Sequence, residues 1–338
     1  MTSLFLQKEQ TTLLLVAALV LAIIVLVVAF RRARGDSGGA LGETARSFKD
    51  SRLTEDIVVP LARDQYRSAY WMPTYVGGRS VNAIADTGSP YFIVPLSLPC
   101  PKTTRCTLTG ARTKITYGDG TADNAVFTAA HTDLGENHFP SLIFGGSQEA
   151  GTGSSSASDA IIGLAPIKAP SGFKDPVGVS IVEQIGATLL EFDFTDEYDA
   201  SLRLAPASRY AKTSGTVIAE GPLVPRGKLW TMGIDHASDF YVVALPAQAA
   251  ALGGLRYLII DTGTTKTLLP QDPRGDVTIK FPTGAMPVSR ADVGHLPAMY
   301  QGPAGKTLNP EVGILGNRTM TGHRVLLDLT AGVCRIYG

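Results

Sequence analysis

Apolar residues along this chain follow two patterns. Between Thr11 and Phe30 they form an unbroken run of twenty residues without a charge, TTLLLVAALVLAIIVLVVAF. From Ile57 onward they come in short runs that alternate with polar positions and stop at turn residues. The first pattern predicts one long helix, roughly 30 Å in span and so about one bilayer core. The second predicts many short strands. Helical periodicity is sparse after residue 57, with Val179–Ile185 and Ala247–Leu252 as the candidates. The Ser- and Gly-rich stretch Gly145–Ser158 reads as a surface loop.

The apolar run has a rival reading as a cleaved signal peptide. Such a peptide has a shorter apolar region, about 7–15 residues, and ends in a small-residue cleavage site. Here the run stops against Arg31, Arg32 and Arg34, so an uncleaved anchor in a lipid bilayer is the expectation. Residues 1–10 then form a short tail, 11–30 the anchor, and 31–56 a polar stalk or short pro-segment.

Composition narrows the remainder. Thirty-six glycines and twenty-one prolines, with many Val, Ile, Thr and Tyr, suit tightly turned strands and an all-β fold with a few short helices. Thirty Lys plus Arg balance thirty Asp plus Glu, which argues against nucleic acid, since phosphate binding needs a basic surface. Of three cysteines, Cys100 and Cys106 stand close enough to close a small loop. Cys334, in an apolar run near the C-terminus, reads as a small buried hydrophobe. The five histidines are scattered, and no metal site is expected from their spacing.

A repeat carries the candidate chemistry. Asp86–Pro95 reads DTGSPYFIVP and Asp261–Pro270 reads DTGTTKTLLP, 175 residues later. Each follows a strand-like run, and each is followed downstream by two aliphatic residues and a glycine, Ile161-Ile162-Gly163 and Ile314-Leu315-Gly316. A strand that ends in Asp-Thr-Gly delivers a carboxylate to a tight turn, where glycine avoids a Cβ clash. The hydroxyls of Thr87, Ser89, Thr262 and Thr264 can donate hydrogen bonds to loop and carboxylate. If the two loops meet, two carboxyls lie together and cannot both ionise easily, so they share a proton.

These motifs resemble the two-lobed, pepsin-like aspartic proteases, and the likeness runs from about Ile57 to Gly338. The resemblance implies an N-terminal lobe over 57–210 and a C-terminal lobe over 211–338. It implies Asp86 and Asp261 as the catalytic pair, with Ser89 and Thr264 as hydrogen-bonding supports and Thr87 and Thr262 as a cross-lobe brace beside Gly88 and Gly263. Ile162, Gly163, Leu315 and Gly316 correspond to supporting strands. The hairpin signal Ile115–Thr121, ITYGDGT, is similar to the family's flap and implies substrate contacts by Tyr117, Gly118 and Asp119. Cys100 and Cys106 match a small disulfide of the first lobe. Ile93 departs from the family, which usually has an aromatic residue at that position.

The implied activity is endopeptidase cleavage of an extended polypeptide, without cofactor or metal, by a monomeric catalytic unit. An inactive, membrane-tethered binding module of the same fold is the alternative. Arg31, Arg32 and Arg34 after the anchor would place the body in the cytoplasm. A disulfide and the habit of the family favour the lumenal or exterior side instead.

Overall fold

In the computed structural model the described residues are 51–63, 69–89, 91–95, 107–116, 122–147, 160–165, 180–206, 215–224, 240–247, 252–296 and 311–338. The apolar run 11–30, the region around 210, Tyr117–Asp119, Cys100 and Cys106 lie outside them. Among the described residues no helix is long and apolar enough to cross a membrane.

The described residues are mostly strand. Its first half holds β1 (Ile57–Arg63), β2 (Tyr70–Val76), β3 (Arg79–Asp86), β4 (Phe92–Pro95), β5 (Thr107–Thr116), β6 (Ala122–Leu134), β7 (Asn137–Ser147) and β8 (Ala160–Gly163). Helix α1 (Ile181–Ile185), β9 (Leu189–Asp193) and β10 (Ala200–Ala205) complete it. The second half runs through β11 (Val217–Pro222), β12 (Val242–Ala244), β13 (Tyr257–Ile260), β14 (Thr267–Leu269) and β15 (Val277–Lys280). It ends with β16 (Thr283–Val288), β17 (Val293–His295), β18 (Val312–Leu315), helix α2 (Asn317–Met320), β19 (Arg324–Asp328) and β20 (Val333–Tyr337).

Alternation explains the strands. In β1 Ile57, Val59 and Leu61 are buried and their neighbours are not; in β3 the same holds for Val81, Ala83 and Ala85. The β2–β3 hairpin turns at Gly77 and Gly78, whose φ angles are 58° and 83°. Two consecutive positive φ values suit the tight hairpin turn that follows strand twist. Gly78→Ala is expected to cost about 1–2 kcal/mol through that backbone strain alone, measurable as a shift in denaturant midpoint.

Pairing in the order β2-β3-β8-β4-β7-β6, with β6 returning to β2, closes a six-stranded barrel. Met72, Val81, Ala83, Phe92, Leu142 and Ile162 are among the buried residues of its core. The second half repeats part of this plan as the five-stranded sheet β12-β13-β18-β14-β17. The match extends to register. Trp71 faces Ile84 as Val242 faces Ile259, and Ala85 faces Ile162 as Ile260 faces Leu315. Ile93 faces Ile161 as Leu268 faces Ile314.

The halves are joined by backbone pairing, because β9 lies antiparallel to β19 with Glu191 opposite Leu326. On that shared sheet Glu191 binds Arg203 and Arg324, one from each half. Residues ahead of β1 are also tied to the body: Ser51 donates to the Ser141 carbonyl and the Leu53 N–H to that of Ile185.

Several expectations meet the structure here. Helix α1 lies within Val179–Ile185, capped by the Ser180 side chain and by Gly186 at φ 69°. Gly145–Ser147, expected in a surface loop, instead completes β7 and pairs with β4 and β6. Tertiary pairing overrides the loop-like composition there. Cys334 is free and fully buried, and burial pushes its thiol up to about 12.

Candidate active site

The repeated loops meet. Asp86 is the last residue of β3, and Asp261 directly follows β13. Each carboxylate caps its own turn. Asp86 Oδ1 accepts from the Gly88 N–H at 2.7 Å, and its Oδ2 from the Ser89 hydroxyl at 2.6 Å. Asp261 Oδ1 accepts from the N–H groups of Gly263 (2.9 Å) and Thr264 (3.0 Å), and its Oδ2 from the Thr264 hydroxyl at 2.7 Å.

Between the loops runs a reciprocal brace. The Thr87 N–H donates to Thr262 Oγ1 at 3.0 Å, and the Thr262 N–H to Thr87 Oγ1 at 2.9 Å. The Thr87 hydroxyl donates to the Ile260 carbonyl (2.8 Å) and that of Thr262 to the Ala85 carbonyl (2.7 Å). Both threonines are fully buried, so each of these bonds lies in a low-dielectric setting where leaving one unmade is costly.

The brace sets the carboxyls against one another. A Cβ at Gly88 would stand 2.5 Å from the Asp261 carboxyl, and one at Gly263 would strike the Asp86 carboxyl. Glycine is therefore required at both positions by the opposing acid. Each carboxyl thus lies over the glycine of the opposite loop. Both carboxyls titrate above the ordinary aspartate range, chiefly because burial disfavours charge. For Asp261 the neighbouring negative charge of Asp86 adds to burial, and it is pushed up to about 7. For Asp86 the Ser89 hydroxyl and the Gly88 N–H oppose the rise. The negative charge of Asp86 thus favours the protonated form of Asp261. Asp261 is 8% exposed, whereas Asp86 is only half-buried.

Strands β8 and β18 run beside the two loops. Ala85 and Asp86 face Ile162 and Gly163 on β8, and the Leu164 N–H donates to the Asp86 carbonyl. The Leu315 carbonyl accepts from the Asp261 N–H at 3.1 Å. A side chain at Gly163 or Gly316 would collide with the backbone of Tyr91 or Lys266 respectively. The Asn317-Arg318-Thr319 sequon is not an open acceptor, because Asn317 is fully buried and its Nδ2 donates to the Thr262 carbonyl at 3.2 Å.

Ile93, the aliphatic departure, is buried with Ala125 and Tyr91. Its Cδ1 occupies the space above Gly145, where a Cβ would approach it to 2.8 Å. The other half does the same with Leu268 over Gly294, where the corresponding distance is 2.9 Å. An aliphatic residue closing on a glycine is thus a property of both repeats.

A second brace escaped the sequence reading. The Tyr241 hydroxyl donates to the Leu164 carbonyl at 2.8 Å, from the second half to the first. Tyr70 and Thr321 share a hydrogen bond of 3.2 Å in the reverse sense. The two tyrosines are equivalent, since each precedes the residue that faces Ile84 or Ile259.

Thr116, the last residue of β5, faces Ala122 across the ladder to β6. Tyr117, Gly118 and Asp119 belong to the connection between these strands, outside the described residues. Among the described residues, the one convergent group of three possible metal ligands is His131, Asp133 and His138, on β6 and β7 and apart from the acids. No model of a known protein family matches the chain, and no curated protein matches it either.

Proposed function

We propose that the chain is an aspartic endopeptidase with the two-lobed plan of the pepsin-like enzymes, and that Asp86 and Asp261 activate a water for attack on a peptide bond. The observation that carries this reading is the pair of Asp-Thr-Gly loops, locked by the Thr87–Thr262 exchange, with the two carboxyls set against each other's glycines. A turn built only for structure has no need to bury two acids against each other, an arrangement that costs free energy.

The asymmetry of the pair assigns roles. Ionised Asp86 accepts the proton of a water lying between the carboxyls as that water attacks the scissile carbonyl. Protonated Asp261 donates a hydrogen bond to the carbonyl oxygen as negative charge develops there. The tetrahedral intermediate collapses when the proton gained by Asp86 passes to the leaving nitrogen, which breaks the C–N bond and frees the carboxyl and amine products. The brace holds both acids in place throughout, so little reorganisation is needed at the transition state.

Around this centre lie a first lobe over 57–210, a second over 211–338 and a flap that includes Tyr117. The substrate is an extended polypeptide and the catalytic unit a monomer. The body is held to a membrane by residues 11–30 and works on the lumenal or exterior side. The cleavage reaction itself uses the two acids and a water.

The two supports separate the limbs of the pH profile. The Ser89 hydroxyl lowers the pKa of Asp86, whose protonation ends activity on the acid side. Ser89→Ala therefore moves the acid limb upward. The Thr264 hydroxyl lowers the pKa of Asp261, whose deprotonation ends activity on the alkaline side. Thr264→Ala moves that alkaline limb upward and leaves the acid limb nearly in place. Initial rates against pH on one peptide check both, and movement of the same limb by both variants would contradict the assignment of roles.

The proposal as a whole is tested with a peptide whose scissile bond is replaced by a hydroxyl-bearing tetrahedral carbon. It is expected to bind at least about a hundredfold more tightly than the parent peptide. Equal affinity for the two would point to a binding module instead.

A further inference from the structure

Strand periodicity brings three metal-ligating side chains together on the outer face of the barrel. Along β6 the inward residues Ala130, Thr132 and Leu134 are buried, while His131 and Asp133 alternate with them and face outward. On β7, His138 stands directly opposite Asp133 in the register. Two histidines seven positions apart in sequence thereby flank one carboxylate, a proximity that sequence spacing does not reveal.

The local geometry is convergent. Asp133 Oδ1 lies 2.8 Å from His131 Nε2 and 2.8 Å from His138 Nδ1. All three ligand atoms fall within 4.8 Å of one another. The imidazole rings lie near-parallel, with centroids 6.0 Å apart. The register shifts beside His131, so that Pro140 and Ser141 together span the place opposite it. A bulge of this kind re-aims the side chains next to it, and proline, which has no N–H, is at home in one. The backbone at His131 is held independently, because its carbonyl accepts from the Gly77 N–H at 2.9 Å.

We infer that His131 Nε2, Asp133 Oδ1 and His138 Nδ1 form a binding site for a divalent transition-metal ion of the zinc class. Two imidazoles and one carboxylate are a donor set that suits such an ion, and three protein ligands leave a coordination position open. Metal–ligand bonds of about 2.0–2.2 Å place neighbouring ligand atoms roughly 3.3 Å apart in a tetrahedron. Asp133 Oδ1 stands slightly inside that spacing from each imidazole nitrogen, so an outward movement of the exposed rings would admit the ion. The side chains of His131 and His138 are 48% and 72% exposed, which leaves the remaining position open to solvent.

The site is separate from the paired acids. Tyr75 of β2 faces both Asp133 on β6 and Ser80 on β3, while Asp86 ends β3 six residues beyond Ser80. Six strand residues span about 20 Å. A bound ion therefore staples the β6–β7 hairpin and takes no part in peptide cleavage.

The test uses the full-length, tag-free chain in detergent, titrated with Zn²⁺ by calorimetry and with Co²⁺ by visible absorption. One ion per chain is expected, with cobalt bands of a four- or five-coordinate nitrogen–oxygen site and a rise in Tm on adding zinc. His138→Ala, which removes an exposed side chain, is expected to weaken binding about tenfold or more and to abolish the Tm rise. His131→Ala and Asp133→Asn should each do the same. Binding that is non-saturable, or equally tight in wild type and His138→Ala, would overturn the site. Neither readout depends on hydrolysis, so the result is independent of the proposed activity.

Discussion

Asp86→Asn and Asp261→Asn are each expected to lower peptide hydrolysis by about a thousandfold or more while leaving the fold intact. Asparagine is nearly isosteric with aspartate, so the contacts to Gly88 and Gly263 survive. Its amide cannot cycle between accepting and releasing a proton. Because the acids act on one water as a unit, the double variant should be scarcely worse than either single one. Initial rates on one peptide, with circular dichroism to confirm folding, measure all three. Substantial activity in Asp261→Asn alongside a dead Asp86→Asn would mean that Asp261 is not the acid.

Stability should carry the mark of the same pair. In the folded chain Asp261 titrates at about 7, against 3.8 for an ordinary aspartate. Between those values the folded state holds a proton that the unfolded state has released. Stability then falls as pH rises through this window, because the unfolded state binds fewer protons. Asp261→Asn removes the titrating group and with it the penalty of two buried negative charges. At pH 7–8 the variant is expected to be more stable than wild type by on the order of a few kcal/mol, with the difference vanishing near pH 4. Urea denaturation at several pH values reads this directly. A variant that is less stable than wild type at neutral pH would show that the acids are not held together as described.

The paired acids were legible in the sequence because their chemistry is local. Asp, Thr, Gly and a hydroxyl residue must be consecutive to cap the carboxylate as Ser89 and Thr264 do. The supporting strands were legible for a related reason, since Ile162 and Leu315 stand in the same register beneath the two loops. The tyrosine brace was not. Tyr70 lies sixteen residues before Asp86 and Tyr241 twenty before Asp261. The difference arises because β2 and β3 are joined by the two glycines of a tight turn, while a longer segment joins β12 to β13. A search at constant offset passes over such a pair.

Pairing between distant strands was equally hidden. Nothing in LLEFD or RVLLD says that β9 and β19 join the two halves; each has three apolar and two charged residues, a mix that many strands show. The end of β7 in the first half carries Gly145, Gly146 and Ser147, residues that resemble a linker until Ile93 is seen to need the space above Gly145. His131 and His138 became neighbours only through hairpin register. In each case the deciding contact crosses from one strand to another, and the composition of either strand alone carries no trace of it.

The most direct test of the central claim is cleavage of an unbiased peptide library by the full-length chain from pH 3 to pH 8, with products identified by mass spectrometry. Internal cleavage is expected, with a bell-shaped pH profile whose alkaline limb lies near the Asp261 value of about 7, and it should be lost in Asp86→Asn. Absence of cleavage at every pH, or cleavage that persists undiminished in that variant, would contradict that claim.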